Sequence, residues 1–245
     1  MHVSSRGTYG SPRIHVALTQ KGERCSRKRI ARLMRENGIH AKAKRKFKAT
    51  TNSNHSLPVA DNLLKQNFHC SQPNKIWTAD ISFIATKEGW LYLAIVLDLF
   101  SRKVIGWSMD KQMTRHLAIN ALAMAYWRRK PSSEVIHHSD RGVQYASSDF
   151  QSRLKSYGML CSMSGKGNCY DNSPTERFFH TLKAELMGGI IFETREEAKA
   201  AIFEYLEVFY NRMRRVCKKF CVQRSFLFSC CLGQREPIIS YPQIQ

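Results

Sequence analysis

Between residues 77 and 110, apolar and polar side chains alternate in a pattern typical of β-strands. In "WTADISFIA", which starts at Trp77, every second residue from the tryptophan to the phenylalanine is apolar, and those between them are polar. This predicts a half-buried strand. The turn-like segments "KEG" and "SRK" separate it from "WLYLAIVLDLF" and "VIGWSMD". We therefore predict an antiparallel meander of three strands.

The next segment predicts a helix and a fourth strand. In "TRHLAINALAMAYWRRK" (114–130), alanine and leucine residues form one helical stripe and Thr114 is a suitable cap. "SEVIHHSD" (133–140) then has the length of a short strand. A strand–helix–strand connection of this length favours parallel pairing of the fourth strand with the first.

The remaining periodic segments complete an α/β domain. We predict a helix near 148–157, a strand at 159–163 and helices beginning at Ser173 and Thr194. Ser173 and Thr194 each precede a glutamate by three residues, as in a capping box. The stripe of the last helix comprises Ala198, Ala201, Ile202, Tyr205 and Phe209.

A basic amphipathic helix is predicted near the amino end. In "RKRIARLMREN", between Ser26 and Gly38, one face carries Ile30, Leu33 and Met34, and the other carries Lys28, Arg32 and Arg35. A shorter apolar-periodic segment, "PRIHVALTQKG", precedes it. Two such helices fit a helix-turn-helix DNA-binding region over 1–40, with the basic residues as DNA contacts. An ordinary surface helix explains the pattern equally well.

Charge favours a nucleic-acid partner. The 245 residues carry 39 Lys and Arg against 19 Asp and Glu, a net charge of +20. Residues 1–75 hold 16 of the basic and only 3 of the acidic side chains. Such density favours a polyanion over a merely solvated basic face. Within this part, 41–75 has little periodicity and is predicted as a basic linker with one helical turn near 59–66.

Other classes of protein fit less well. The longest apolar run, "LYLAIVLDLF", has ten residues and includes Asp98, too short to span a membrane. The eight cysteines show no zinc-ligand spacing with paired histidines. No export signal is visible, so we expect reduced thiols, a cytoplasmic location and no membrane partner.

Three acidic residues stand where packing does not explain them. Asp80 lies within a predicted strand, Asp140 ends the fourth strand, and Glu176 opens a helix. Parallel pairing of the first and fourth strands would bring Asp80 beside Asp140, and a helix across the sheet could add Glu176. Three carboxylates so placed favour a divalent cation. A solvent-facing strand residue, a turn former and a helix cap are the structural alternatives.

Two other groups of side chains relate to these acids. On a helical wheel, Glu176, His180 and Lys183 fall within about 60° of one another, apart from an apolar arc. A cap alone would not require that grouping. His137 and His138 point to opposite faces of a strand, so we expect His138 to support Asp140 and His137 to lie in the core.

The segments around the three acids resemble a known family. "IWTADISFI", "VLDLFSRKVIGW", "HHSDRGVQYAS" and "GKGNCYDNSPTERFFHTLKAEL" are similar to the core of DDE transposases of bacterial insertion sequences, in their second-frame protein with a retroviral-integrase-like domain. The 35 residues between Asp140 and Glu176 match the family spacing, and Lys183, seven residues after Glu176, matches its basic position. The resemblance runs from about Tyr9 to Arg215.

The resemblance implies a fold and an activity. It implies an RNase-H-like core over 76–212 with a mixed five-stranded sheet flanked by helices. It also implies a metal-dependent polynucleotidyl transferase that nicks and transfers strands at the element's ends. Asp80, Asp140 and Glu176 would hold Mg²⁺, with Mn²⁺ as a substitute, and Lys183 would contact phosphate near the cut, with His180 beside it. Double-stranded DNA is the implied partner, bound by a homo-multimer associated with the bacterial nucleoid.

The chain departs from the family pattern near its end. From Val216 it continues as a Cys-rich sequence without helical period, and we predict that 213–245 is an atypical, out-of-frame or replaced tail. The alternative function is therefore a catalytically inactive DNA-binding relic or a regulator of transposition.

Overall fold

The computed structural model describes residues 2–5, 7–41, 57–132, 134–166 and 168–214. Residues 215–245 of the predicted tail and residues 42–56 of the predicted basic linker lie outside the described residues. The strands are β1 (Ile76–Thr86), β2 (Gly89–Asp98), β3 (Val104–Asp110), β4 (Ile136–Ser139) and β5 (Leu160–Met163). The helices are α1 (Ser11–Thr19), α2 (Arg27–Glu36), α3 (Arg115–Arg129), α4 (Val143–Ala146), α5 (Ser148–Ser156), α6 (Ser173–Leu182) and α7 (Arg195–Phe203). Short 3₁₀ turns lie at Val3–Ser5 and Cys169–Asn172, and π-helical segments at Lys183–Met187 and Glu204–Met213 extend α6 and α7.

The predicted meander is confirmed. β1 and β2 pair antiparallel from Trp77 opposite Asp98 to Thr86 opposite Gly89. β3 pairs antiparallel with β2 on its other side. At the β2–β3 turn, buried Asp98 accepts hydrogen bonds from the backbone N–H groups of Asn74 and Ser101 and from the Ser101 hydroxyl. These hydrogen bonds account for a buried acid at position 98 as part of the turn.

The parallel crossover is also confirmed. β4 pairs parallel with β1, and β5 with β4, so the mixed sheet has the order β3-β2-β1-β4-β5. Helix α3 packs closely on β3 because residue 106 is glycine. A Cβ there would collide with the Ala121 carbonyl oxygen. Thr114 is the N-cap of α3 as predicted, but its side chain makes no capping hydrogen bond.

Helices cover both faces of the sheet, which corrects the half-buried prediction for β1. One apolar core joins Ile84 and Leu93 to Phe178 of α6 and Tyr205 beyond α7. The other joins Trp77 and further strand residues to α3 and α5. The alternation of apolar and polar residues cannot reveal that the second face of β1 is covered. Small polar residues such as Thr78 are buried there under α6, where the Thr78 hydroxyl accepts a hydrogen bond from that of Thr175.

The amino-terminal helices form a small layer around Tyr9, Ile14 and Ile30. Ser26 caps α2 by accepting a hydrogen bond from the Arg29 N–H, as its position predicts. Leu33, predicted on the apolar face of α2, is 44% exposed, because a three-residue core is too small to cover the whole stripe.

Residues 57–75 contain neither helix nor strand, so the predicted helical turn near 59–66 is wrong. Asn62 accepts hydrogen bonds from the N–H groups of Leu64 and Lys65 and thereby forms a tight turn in place of a helix. The Leu63 N–H donates to the Ser162 hydroxyl, and the Asp61 carbonyl accepts from Met163, so this segment lies along β5.

The helix that follows Thr194 has the predicted buried stripe, continued through its π-helical extension. Thr194 caps it by accepting from the Glu197 N–H, and Glu197 in return accepts from the Glu193 N–H. Within the described residues, no helix is both long and apolar enough to cross a bilayer.

Candidate active site

The register of the parallel strands places two acids at one level. β1 and β4 pair from Ile76 opposite Ile136 to Thr78 opposite His138. Continuing that register by two residues sets Asp140 level with Asp80. Asp140 follows β4 directly, and its carboxylate accepts a hydrogen bond of 2.9 Å from the Gly142 N–H. A Cβ on Gly142 would come within 3.0 Å of the same oxygen, so glycine permits this turn.

Glu176 reaches the same region because its helix is anchored to β1. The Thr175 hydroxyl donates to the Thr78 hydroxyl at 2.7 Å, and the Asn172 side-chain amide donates to the Ala79 carbonyl at 3.0 Å. The first turn of α6 therefore lies against the strand segment that leads into Asp80.

The predicted capping box at Ser173 and Glu176 is wrong. Helix α6 begins at Ser173 itself, with Asn172 as its N-cap and no side-chain capping hydrogen bond. The preceding 3₁₀ turn already holds Ser173 in a helical conformation, so the residue lies inside the helix. Capping therefore does not account for an acid at position 176.

The three acids repel one another. Burial raises the pKa of Asp80 well above its usual range, and the charge of Asp140 and then that of Glu176 raise it further, against the hydrogen bond from the Ile81 N–H. Burial and the Asp140 charge also raise the pKa of Glu176. Like charges are thus gathered in a partly buried place, which disfavours their ionised forms until a cation neutralises them.

Oxygen donors of this kind suit a hard divalent cation. The residue types therefore fit such a cation. Among the residues that the structure describes, however, no group of three or more His, Cys, Asp or Glu side chains is arranged to hold a metal ion. Asp80 lies near enough to Asp140 and Glu176 for both charges to act on its pKa, and shared coordination of one cation stays a prediction.

Lys183 faces the acids as the helical wheel indicated. Its Nζ lies 4.7 Å from the centroid of the Phe83 ring. Burial lowers its pKa, and the charge of Asp80 opposes that change. A partly buried ammonium beside carboxylates is well placed to meet a phosphate.

The histidines have separate environments. His138 is held by the serines of the next strand: its Nδ1 lies 2.8 Å from the Ser162 hydroxyl and its Nε2 3.3 Å from that of Ser164. These contacts direct it toward β5 rather than toward the Asp140 carboxylate. Burial lowers the pKa of His138 to about 4. His137 is a core residue as predicted, and burial followed by the His138 charge lowers its pKa to about 3.

His180 lies one turn after Glu176, half-buried. Its Nε2 has no hydrogen-bond partner within the part of the chain that the structure describes. The three predicted DNA contacts, Lys28, Arg32 and Arg35, are exposed on α2, in the amino-terminal layer. Arg32 forms an exposed ion pair of 3.6 Å with Glu36.

An open cleft of about 480 Å³ borders the carboxylates. Its lining comprises Asp80, Ile81, Phe83, Trp90, Tyr92, Met113, Asp140, Gly142, Val143, Gln144 and Tyr145. Two of the three acids thus lie on its wall, and the rest of that wall is largely aromatic or apolar.

Sequence reasoning missed the residues that hold the loop before Glu176. Asp171 is buried and accepts hydrogen bonds from the side chains of Asn62, Gln66 and Asn168 and from the Gly165 N–H. The cluster of Asn and Asp just before a predicted helix is a turn signal that could have identified this anchor.

Comparison with known proteins identifies the family. The integrase core domain matches residues 71–169 and, through a second family description, 176–225; an HTH-like domain matches residues 1–47. The chain is 50% identical over 211 residues to transposase InsF for insertion sequence IS3A of Escherichia coli strain K12, covering 86% of this chain and 73% of the relative. The chain belongs to the IS3-type transposase family.

Other comparisons agree with this assignment. The transposase is 47% identical over 214 residues to the insertion element IS600 uncharacterized 31 kDa protein of Shigella sonnei, covering 87% of this chain and 79% of the relative. Its fold matches a chain in the cryo-EM structure of a simian T-cell lymphotropic virus intasome in complex with PP2A regulatory subunit B56 gamma. That match has a TM-score of 0.52 at 19% identity and covers 96% of this chain and 78% of the other.

These findings confirm the predicted RNase-H-like fold and place the transposase among polynucleotidyl transferases and endonucleases. The second integrase match ends at residue 225. The family likeness therefore continues ten residues beyond Arg215, where the sequence prediction placed its end.

Proposed function

We propose that this transposase nicks double-stranded DNA at the ends of its own insertion element and joins the freed 3′-hydroxyl to a target phosphodiester. The observation that carries the proposal is the parallel β1–β4 register, which sets Asp140 level with Asp80 while Glu176 adds to the repulsion between them. A folded protein tolerates such repulsion where a cation offsets it.

Asp80, Asp140 and Glu176 are the proposed ligands of Mg²⁺, and Mn²⁺ is the expected substitute. The bound ions supply Lewis acidity at the phosphate and at the attacking oxygen, as in other phosphodiester-cleaving sites with two metals. The chain's own contribution is to hold the three carboxylates on two strands and a helix, all of which are fixed by buried contacts.

Lys183 is the proposed phosphate contact beside the cut. Its ammonium is held near Asp80 and over the Phe83 ring, so it can neutralise a strand backbone that enters the cleft. His180 lies on the same side of α6 and is the proposed neighbour of this contact; its Nε2 is buried and has no hydrogen-bond partner among the described residues. His138 has no proposed contact with DNA or metal, because its ring is bonded to the hydroxyls of Ser162 and Ser164.

Lys28, Arg32 and Arg35 are the proposed contacts of the amino-terminal helices with duplex DNA. All three are exposed on α2, whose opposite side packs through Ile30. We further propose that the protein acts as a homo-multimer, because two element ends have to be joined, and that it works in the bacterial cytoplasm on the nucleoid. The division into regions 1–40, 41–75, 76–212 and 213–245 belongs to the same proposal.

The decisive experiment is a nicking assay with duplex DNA that carries the element's own end, in Mg²⁺ or Mn²⁺. We expect the wild type to cut and Asp140→Asn to lose at least about 10³-fold in rate. Asp110→Asn is the matched control, since Asp110 is an exposed acid at the end of β3. It should cut as fast as the wild type.

The assay also separates the alternative of an inactive relic. Wild-type protein that binds the DNA but leaves it intact in both metals would support that alternative. The DNA-binding role of α2 has its own measurement: replacing Lys28, Arg32 and Arg35 with alanine should flatten the dependence of log K on log salt by about 0.9 for each phosphate that the protein no longer neutralises. An unchanged slope would mean that α2 does not contact the DNA phosphates.

A further inference from the structure

The β1–β2 hairpin extends beyond the strand that shields its base. Parallel pairing of β1 with β4 ends at Thr78, whereas β1 continues to Thr86. From Asp80 to Ala85, no strand among the described residues pairs with β1 on its β4 side, and an isolated bridge joins Thr86 to Phe192. The cleft lies along this edge, and Asp80 and Asp140 stand on its wall.

Aromatic side chains line the hairpin side of the cleft. Phe83 and Tyr92 are cross-strand partners, and Trp90 stands near the hairpin turn. The Trp90 ring is 50% exposed and makes an edge-to-face contact with Phe83, with 4.9 Å between centroids and an interplanar angle of 81°. This geometry supports the indole from its side and leaves it half open to the cleft.

The opposite wall is apolar and held in place. Met113 and Val143 are 47% and 45% exposed. The Gln144 side chain donates a 3.0 Å hydrogen bond to the Met113 carbonyl, which ties α4 to the segment before α3. Tyr145 is buried behind this wall against Phe150. The cleft thus has carboxylates on its wall, an exposed indole on one side and thioether and aliphatic groups on the other.

We propose that this cleft holds one unstacked nucleobase of the DNA strand, next to the phosphate that the carboxylate site cuts, with Trp90 as the stacking surface. The inference rests on the proposed function, because the DNA phosphate at Asp80 and Asp140 determines which part of the strand reaches the cleft. A flat aromatic ring accepts any base, so the site would separate the strands at the cut without reading their sequence.

Charge and shape favour a base over an apolar peptide side chain. The Lys183 ammonium lies 4.7 Å from the ring centroid of Phe83, which is on the cleft wall and supports Trp90. A nucleotide matches this arrangement because its phosphate can meet the ammonium while its base meets the indole. The chain's net charge of +20 supports a polyanionic occupant as well.

The test uses the full chain and an element-end duplex with 2-aminopurine at the base on one or the other side of the cut phosphate. Fluorescence is measured in Ca²⁺, so that binding is observed apart from cleavage. We expect the signal at one position to change on binding through stacking on Trp90. Trp90→Ala should abolish that change and weaken binding about 5- to 150-fold.

Two variants control the experiment. Trp90→Phe retains an aromatic face and should restore most of the affinity. Trp127→Ala removes another exposed tryptophan, 64% exposed on α3 and not part of the cleft, and should leave both signal and affinity unchanged. Because Trp90 is half exposed, melting temperatures of all three variants should stay close to that of the wild type.

Cleavage gives a second readout. Trp90→Ala should slow nicking of a fully paired end more than nicking of an end whose bases beside the cut are already unpaired. Equal slowing on both substrates, or a fluorescence change that persists in Trp90→Ala, would overturn the base site. Absence of nicking by the wild type in every metal would instead contradict the proposed function, and the fluorescence result would still decide the base site.

Discussion

Two sites in the catalytic core hold buried or partly buried carboxylates in opposite surroundings. Glu185 is paired with a cation, whereas Asp80 faces other acids. Glu185, which follows Lys183 by two residues, receives both arms of the Arg214 guanidinium at 2.7 and 2.8 Å and the Tyr205 hydroxyl at 2.7 Å. Asp80 has the Ile81 N–H as a partner but faces the charges of Asp140 and Glu176.

This difference in surroundings distinguishes a carboxylate that stabilises the fold from carboxylates that can bind a ligand. At Glu185 every charge meets an opposite one: burial tends to lower the pKa of Arg214, yet the hydrogen bonds to Glu185 raise it above its usual value. At Asp80 the neighbours raise the carboxyl pKa. A protein gains no stability from like charges held together, so such a group indicates a place for a ligand. We call Asp80, Asp140 and Glu176 the repulsive group, and Glu185 with Arg214 and Tyr205 the matched group. The matched group holds parts of the fold together.

The largest effect is expected at the matched group. Arg214→Met leaves the buried Glu185 carboxylate with only the more exposed Arg13 as a cation, 3.9 Å away, and should lower the free energy of unfolding by about 3–5 kcal/mol. Chemical denaturation measures this, with exposed Arg212→Met as the control. The double variant Glu185→Gln, Arg214→Met should recover part of the loss; if it does not, charge pairing is not what Arg214 provides.

Magnesium should affect only the repulsive group. A ligand that binds the folded state at about 100 times its Kd adds about 2.7 kcal/mol to the free energy of unfolding. Mg²⁺ should therefore raise the melting temperature of the wild type and of Asp110→Asn, and should do so far less for Asp140→Asn. An equal rise in all three would mean that the ion binds elsewhere.

Without metal, removing a charge from the repulsive group should stabilise the protein. Unfolded Asp80 loses its proton near pH 3.8, its usual pKa, whereas the folded state retains the proton to higher pH. Stability therefore falls as pH rises from about 4 toward the folded pKa, by about 1.4 kcal/mol for each unit by which the pKa is raised.

Asp80→Asn should remove that loss, so the variant should gain stability over the wild type at pH 7 but not at pH 4. Denaturation in a chelator at both pH values measures the difference. Asp171→Asn is the contrast: its carboxylate accepts from four donors, and the change should destabilise the protein at pH 7. A loss of stability in Asp80→Asn at pH 7 would contradict the repulsion.

The smallest effect concerns two buried tyrosines. The Tyr145 hydroxyl has no hydrogen-bond partner within the described residues, whereas that of Tyr205 donates to Glu185. Tyr145→Phe should leave stability unchanged or raise it by about 1 kcal/mol, and Tyr205→Phe should lower it by about 1.5–3 kcal/mol. Thermal melting of the two variants measures both changes. If Tyr145→Phe were the more destabilising of the two, an ordered water would have to bond the Tyr145 hydroxyl.

Much of the fold could be predicted from local patterns. The meander, the crossover helix with its alanine stripe and the parallel return strand followed from periodicity and turn residues, because these are properties of short segments. Burial of both faces of β1 could not be predicted, since Thr78 and Ser82 are small enough to lie under a helix that begins more than ninety residues later.

The candidate site was predictable in part. Asp80, Asp140 and Glu176 were identified by their unusual positions and by resemblance, and that assignment remains a prediction. The helical wheel put Lys183 with Glu176; in the structure the charge of Asp80 acts on it, and its role at the site stays a prediction. Asp171 was missed because its donors come from both neighbouring and distant segments, and the Ser173 cap was wrong because the preceding turn extends the helix backward by one residue.

The amino-acid sequence by itself determined which segments become strands and helices, and it determined that three acids would fall at the ends or middle of those elements. Only the tertiary structure decided that Asp140 stands level with Asp80, that an edge of β1 carries an exposed indole beside them, and that Glu185 is matched by Arg214. The physical reason is that periodicity and capping act over a few residues. Charge repulsion and burial, in contrast, depend on which distant segments share the same space.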